Sequence, residues 1–322
     1  MAHDLTYREI LGFTDTAGRE AWLALRGQPG LPGSRFGLSS LRLFSPRLSL
    51  ATWRGQRPLD RIAPVVNLVN RTPTPVEQGW SVRVTQVRDF RGGRLTYDSH
   101  NGTDFAVPPG TPIVAAAPGR VVAQRSEYNR GGLKIYVDHG GGLLTSYNHL
   151  ARSLVSVGDR LHRGQPLALS GYSGLDALAS LGCVAPHLHF NVYLGGVQVD
   201  PFAAPGEVPL WIGGAPVAPR LGDEREPGGD DAPTPFDEAA IRALLASLRD
   251  PERRAQLDRG SPIERAWQLV IEANTYPTRF STPEAGRSLF AQAPPARAPR
   301  LTLPLARELF DATAFADEVG YR

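Results

Sequence analysis

The 322-residue chain has one cysteine, one methionine and, among 35 basic residues, a single lysine, Lys134. The lone thiol, Cys183, excludes an intrachain disulfide framework and leaves the redox compartment open. With lysine nearly absent, the net charge of +3 and the pI near 9.2 rest on arginine. Residues 1–99 hold 14 Arg against 8 acidic residues, the density of a solvated surface, so no nucleic-acid partner is expected. Long apolar runs are missing too, and no stretch approaches the length of a membrane span. The start, MAHDLTYREILGFTDTAGREAWLALRG, carries charge throughout and lacks an apolar h-region, so it does not read as a secretory signal peptide. A cytoplasmic protein, a leaderless export route and a substituted start are all compatible with it. What is present is ordinary for a globular chain: 41% hydrophobic residues, enough for a sizeable core and about two domains.

Texture divides the chain into four parts. Residues 1–78 form an N-terminal accessory region. Helical spacing runs over 3–26, with Leu5, Ile10, Leu11, Ala21, Trp22 and Leu25 as candidate buried positions, and SLRLFSPRLSLATW reads more as strand than helix. Residues 79–202 consist of short alternating or apolar runs between Gly, Pro and Asn breaks, which predicts an all-β sandwich or barrel-like sheet without βαβ crossovers. Residues 203–234 have linker composition, ending in DEREPGGDDAP, although Trp211 and Ile212 are able to pack onto a neighbour. Residues 235–322 predict three or four short helices. Hydroxyl N-caps with an acid three residues on stand at Thr234–Asp237, Ser261–Glu264 and Ser281–Glu284.

Histidine is also scarce, at seven, which makes its placement informative. His100-x-x-x-Asp104, in SHNGTDFAVP, is a weak signal alone, since a loop histidine and a turn aspartate often stand so. His187 and His189, in APHLHF, project to one face if the segment is a strand, while Leu188 and Phe190 face a core. A buried histidine pair without a partner is costly, and a cation resolves that cost. His149, in SYNHL, adds a third element. A four-residue spacing, a two-residue spacing and a separate histidine supply what a mononuclear zinc site with an open position needs: three N and O ligands, with water in the remaining place. Such a water has its pKa lowered from 15.7 to about 7, and histidines left over serve as general base or oxyanion stabiliser. The residues alone leave open which of the five hold the ion.

Four segments in a row carry a resemblance: HNGTDFAVPPGTPIVAAAPGRVV, LKIYVDHGGGLLTSYNHL, VSVGDRLHRGQPLALSGYSG and PHLHFNVYLGGVQVDP. Together they resemble the zinc peptidases of the lysostaphin and LytM type, peptidase family M23, over about residues 79–202. The resemblance implies that His100, Asp104 and His189 bind one zinc ion per chain. It implies that His149 and His187 are the two catalytic histidines that are not ligands, His187 orienting or deprotonating the water and His149 helping to hold the tetrahedral intermediate. The implied fold is a mostly β catalytic core, an antiparallel sheet forming a groove, here with an N-terminal α+β extension and a C-terminal helical extension. The implied function is a zinc metalloendopeptidase that cleaves peptidoglycan stem peptides or cross-bridges, at the cell envelope or outside it.

The chain departs from the family pattern in one place. It inserts LDALASLGCVA, residues 175–185, before the closing motif, so that Cys183 lies four residues ahead of His187. The thiol reads either as a small buried group or as a fourth ligand. His139 and His162 match no functional position and read as solvated turn residues, His3 carries no information, and Tyr128 and Asn129 are possible substrate contacts. The alternative is a non-hydrolytic or autoinhibited module that grips cell-wall peptides or a partner hydrolase, with a partner protein engaged through the N- or C-terminal region. A cupin-type metal site, which also uses H-x-H, fits poorly, because no histidine follows His189 and the nearest downstream carboxylate is Asp200.

Overall fold

The computed structural model describes residues 4–28, 31–220, 234–281, 289–290 and 296–321. At the start, Thr6 and Glu9 form a capping box on α1 (Tyr7–Leu11), and Gly12, at φ 70°, ends it in the left-handed region. Helix α2 (Ala17–Arg26) leads into the short pair β1 (Gly27–Gln28) and β2 (Leu31–Pro32). Trp22 and Leu25, expected in a core, are 57% and 54% exposed. The helix approaches its neighbours instead through Ala17 and Ala24, seven residues apart and therefore on one face. The stretch that read as strand forms a 3-10 turn, Leu38–Leu43, followed by α3 (Pro46–Trp53). Pro46 sits in the first turn, and Leu48 and Thr52, four residues apart, are buried together, so a short alternation was equally compatible with a helix.

The remaining strands build one large sheet. They are β3 (Ile62–Asn67), β4 (Thr103–Ala106), β5 (Pro112–Val114), β6 (Gly119–Glu127), β7 (Gly132–Asp138), β8 (Leu143–Ser153), β9 (Arg160–Leu161), β10 (Pro166–Ser170), β11 (His187–Leu194), β12 (Val197–Val199) and β13 (Ala312–Phe315). The main order is β13-β3-β4-β11-β8-β7-β6-β9, with β10 bridging β8 to β5 and β12 flanking β11. Among the described residues every pairing within it is antiparallel except that of β13 with β3. The mostly β core with flanking extensions is thus the observed architecture. Both extensions also lend it a strand, β3 from the N-terminal side and β13 from the C-terminal end.

One core layer holds Phe105, Tyr147, Leu188, Phe190 and Val192 against Trp211, Leu301, Leu303 and Leu305. Trp211, in the segment of linker composition, is fully buried, and 221–233 lie outside the described residues. A second layer packs Val122, Tyr136, Leu144 and Tyr193 under three helices, α5 (Glu238–Ser247), α6 (Pro251–Leu257) and α7 (Pro262–Thr275). Ser261 and Glu264 form the expected capping box on α7. At α5 the cap is Asp237, because the Thr234 hydroxyl donates to Asp138 instead. The third expected cap, Ser281–Glu284, runs outside the described residues. Residues 296–321 are not helical; prolines at 299 and 304 deny helical N–H donors, and the segment lies along the sheet. Among the described residues no helix is long and apolar enough to cross a membrane.

Candidate metal centre

Strands β4 and β11 place Asp104 directly opposite His189. Opposed residues of an antiparallel pair project to the same face, and alternation along β11 puts His187, His189, Asn191 and Tyr193 there, with Leu188, Phe190 and Val192 in the core. His149 arrives by another route. Its neighbour Asn148 is the residue opposite His189, so a regular β8 would turn His149 to the far side. The ladder is irregular at this point toward both β7 and β10, and His149 adopts φ 60°. Its N–H donates to Gly131 and its carbonyl accepts from Gly171. This bulge re-aims the imidazole onto the face that carries the other histidines. The His149 and His187 ring centroids are 4.8 Å apart.

Hydrogen bonds fix which nitrogens are bare. His100 Nδ1 lies 2.7 Å from the Leu68 carbonyl, His149 Nδ1 2.8 Å from that of Ser173, and His187 Nδ1 2.8 Å from that of Ala185. A carbonyl only accepts, so each Nδ1 carries a proton and, in the neutral ring, each Nε2 presents a lone pair. The fully buried His100 Nε2 stands 3.0 Å from Asp104 Oδ2 yet forms no aligned hydrogen bond. A lone pair and a carboxylate oxygen at this distance repel unless a cation lies between them. His189 Nδ1 faces Asp104 Oδ1 at 2.7 Å, and its Nε2 lies 3.1 Å from Asn101 Oδ1, which takes the proton when Nδ1 acts as a ligand atom. Ligand atoms of His100, Asp104 and His189 all lie within 4.8 Å of one another, and those of His149, His187 and His189 form a second such group. The donor set fits a metal ion of zinc type, with N and O ligands and carbonyls behind them. Burial opposes the charge on Asp104, but positive charge on the facing His100, His187 and His189, in their protonated forms, holds its carboxyl well below the usual range. Burial and the neighbouring His187 pull His149 down to about 4.

The family model described as Peptidase family M23 matches residues 98–201. Residues 98–201 are a peptidase family M23 domain. Over 104 residues the chain is 36% identical to peptidoglycan DD-endopeptidase ShyC of Vibrio cholerae, a match covering 32% of this chain and 22% of that protein. Over 101 residues it is 38% identical to the murein hydrolase activator EnvC of Escherichia coli, covering 31% of this chain and 22% of that protein. The catalytic domain of the antimicrobial peptidase lysostaphin from Staphylococcus simulans is 31% identical, with 32% of this chain and 77% of that one covered and a TM-score of 0.28. The match therefore spans about a fifth of the length of these curated relatives.

Around the M23 domain's histidines the structure gathers groups that sequence reasoning missed. Asn67 of β3 donates to Asp104 Oδ2 at 2.7 Å, from a strand with no sequence signal of a role. Asn191, two residues after His189 and therefore legible on the same face, places its amide nitrogen 3.0 Å from His189 Nε2 and donates to the Asn101 carbonyl at 2.9 Å. The Tyr97 ring packs 4.6 Å from that of His100. A cleft of about 470 Å³ opens over this centre, bounded by Trp80, Asn129, Arg130, Asn148, Asp176 and Asn274 among others. The insert forms part of its wall through α4 (Asp176–Ala179), and Asp176 Oδ2 reaches 3.6 Å from His149 Nε2. Asn129 lines the cleft, whereas Tyr128 is buried beside it. Cys183 is half-buried, faces the Leu181 carbonyl and belongs to neither ligand group. His139 is not a solvated turn residue. It is 2% exposed, bonded to the Pro118 carbonyl and the Thr145 hydroxyl, and burial pushes it down to about 3.

Proposed function

We propose that the M23 domain is a zinc-dependent endopeptidase that hydrolyses peptide bonds in peptidoglycan stem peptides or cross-bridges, and that it acts at the cell envelope. One zinc ion per chain is held by His100, Asp104 and His189. The observation that carries the reading is the buried His100 Nε2 lone pair facing a carboxylate oxygen at 3.0 Å, an arrangement that calls for a cation. A zinc ion there would supply Lewis acidity and bring the pKa of a water molecule to about 7. The chain's own residues do the rest. His187 and His149 present unprotonated Nε2 atoms, so each is able to accept a proton and then donate it. His187, 3.6 Å from Asp104 Oδ2, takes the proton of the attacking water. His187 then returns that proton to the departing amine. His149, whose ring lies 4.8 Å from that of His187, helps to hold the oxyanion once its own Nε2 has taken up a proton from solvent. The similarity to ShyC, named a peptidoglycan DD-endopeptidase, supports the substrate class.

The similarity to EnvC, named an activator, favours a second reading, a module that grips cell-wall peptides or a partner hydrolase without cutting. Measuring bound zinc and hydrolysis of purified sacculi, for the wild type and for His189→Ala, separates the two. Stoichiometric zinc with hydrolysis that vanishes in the variant is expected. Zinc without hydrolysis would establish the second reading.

A further inference from the structure

Among the described residues, two cationic side chains other than histidine line the cleft, Lys134 and Arg130. Lys134 is neutralised, since its ammonium is paired with Glu127. Arg130 is not. Among the described residues it has no carboxylate partner; its guanidinium donates to the Asn129 carbonyl at 3.3 Å and lies 5.5 Å from the Trp80 ring centroid. Trp80 in turn meets Tyr97 edge-on at 6.5 Å, and Tyr97 packs against His100. A chain of ring contacts therefore links the guanidinium to His100. A guanidinium stacked on an aromatic face keeps its fork of N–H donors free for a planar anion. Burial lowers the Arg130 pKa, outweighing the opposing pull of the nearby Tyr276, Glu127 and Asp176.

A second group in the cleft is unsatisfied. Asn148 is 6% exposed; its amide N–H donates to Asn191 at 2.7 Å, while its Oδ1 is buried without a hydrogen-bond partner. Gly131, which follows Arg130, adjoins this amide: a β-carbon there would stand in ordinary contact, 3.5 Å from that of Asn148. A buried amide oxygen without a donor carries a desolvation cost that a ligand N–H removes.

We infer that Arg130 and Asn148 form a substrate subsite for a free carboxylate with a peptide N–H beside it, so that the M23 domain selects peptides carrying an unamidated carboxylate near the scissile bond. Arg130 takes the carboxylate and Asn148 Oδ1 takes the N–H. This rests on the peptidase reading for its substrate class, and the test keeps the two separable.

The probe is a cross-linked dimer of two peptidoglycan tetrapeptide stems, prepared with free carboxylates and as primary amides. Affinity is measured on the metal-free protein, where no zinc competes for the carboxylate, and kcat/KM on the zinc-loaded protein. The wild type is expected to bind the acid about ten- to a hundredfold more tightly than the amide, the worth of a charge-assisted hydrogen bond. Arg130→Gln brings that ratio to parity, and Arg130→Lys restores part of it. Asn148→Ala weakens acid and amide by the same factor. Equal binding of acid and amide by the wild type, or a ratio untouched by Arg130→Gln, overturns the subsite even if hydrolysis is robust. A ratio that holds while neither dimer is cleaved leaves the subsite standing and overturns the peptidase reading.

Discussion

The sheet face that carries the histidines also carries a second buried polar cluster, and the two are built on opposite terms. Toward α7, Glu272 is wholly buried, yet Arg125 donates to its Oε2 at 2.9 Å, Arg253 to both oxygens at 2.6 and 3.2 Å, and Arg279 to its Oε1 at 2.6 Å. Burial works against that carboxylate, and the Arg253, Arg125 and Arg279 guanidiniums outweigh it, so its pKa is lowered. Each oxygen has its donors within the chain. At the histidine end Asp104 is as deeply buried and accepts from Asn67 at Oδ2, but the same oxygen also faces His100 Nε2 at 3.0 Å, an atom without a hydrogen bond of its own. A satisfied buried network holds a fold together, whereas one that leaves acceptor facing acceptor is shaped for something the chain does not itself contain.

The contrast is sharpest under mutation. Asp104→Asn should abolish stoichiometric zinc and lower hydrolysis on the order of a thousandfold or more, since several kcal/mol of charge stabilisation disappear with the ion. In the metal-free protein the same change should move stability by less than about 1 kcal/mol, because it also removes the acceptor that faces His100. Zinc analysis and urea unfolding with chelator present check both halves, and a large loss of stability without metal would make Asp104 a structural carboxylate like Glu272.

Glu272→Gln should do the reverse. Removing one partner of a buried charge network typically costs about 3–5 kcal/mol. Calorimetric zinc titration should find affinity unchanged in the folded variant. A variant as stable as the wild type would mean that the three guanidiniums find water instead, and the two clusters would no longer differ in kind.

The asparagines behind His189 test how far the metal centre extends. Asn191→Ala removes the amide that holds Asn101, the acceptor facing His189 Nε2, and should weaken zinc about ten- to a hundredfold, as loss of a ligand-orienting partner does. Unchanged affinity would confine the centre to the histidines and Asp104.

The core of this arrangement was legible in the sequence because it is local. H-x-H alternation fixes His187 and His189 on one face of a strand, and the resemblance drew in His100, Asp104 and His149. What sequence could not show depends on tertiary register. Asn67 comes from a strand outside the matched region and reaches Asp104 only because β3 pairs with β4. The path of His149 into the site depends on a bulge whose cause is non-local pairing with β7 and β10. Asp176 was visible only as a member of an insert, and the β13 pairing with β3 joins segments some 250 residues apart, beyond any local pattern. His139 was misread for a related reason: a histidine in a Gly-rich hairpin looks solvated until Pro118 and Thr145 fold over it.

His139 supplies the smallest test, because it is a buried histidine of the satisfied kind. Its folded pKa, about 3, lies below the unfolded value near 6.5. The unfolded chain therefore takes up the proton first as pH falls. The contribution of His139 is complete above pH 6.5 and is lost progressively as pH drops toward 3. At pH 5.5 the loss is about 1.4 kcal/mol. His139→Gln, which does not titrate, should lower stability at pH 7 but lose about that much less between pH 7 and 5.5 in urea unfolding. Parallel pH profiles for the two proteins would mean that His139 accepts its proton while folded, and the comparison between satisfied and unsatisfied histidines on this sheet would fail at its simplest point.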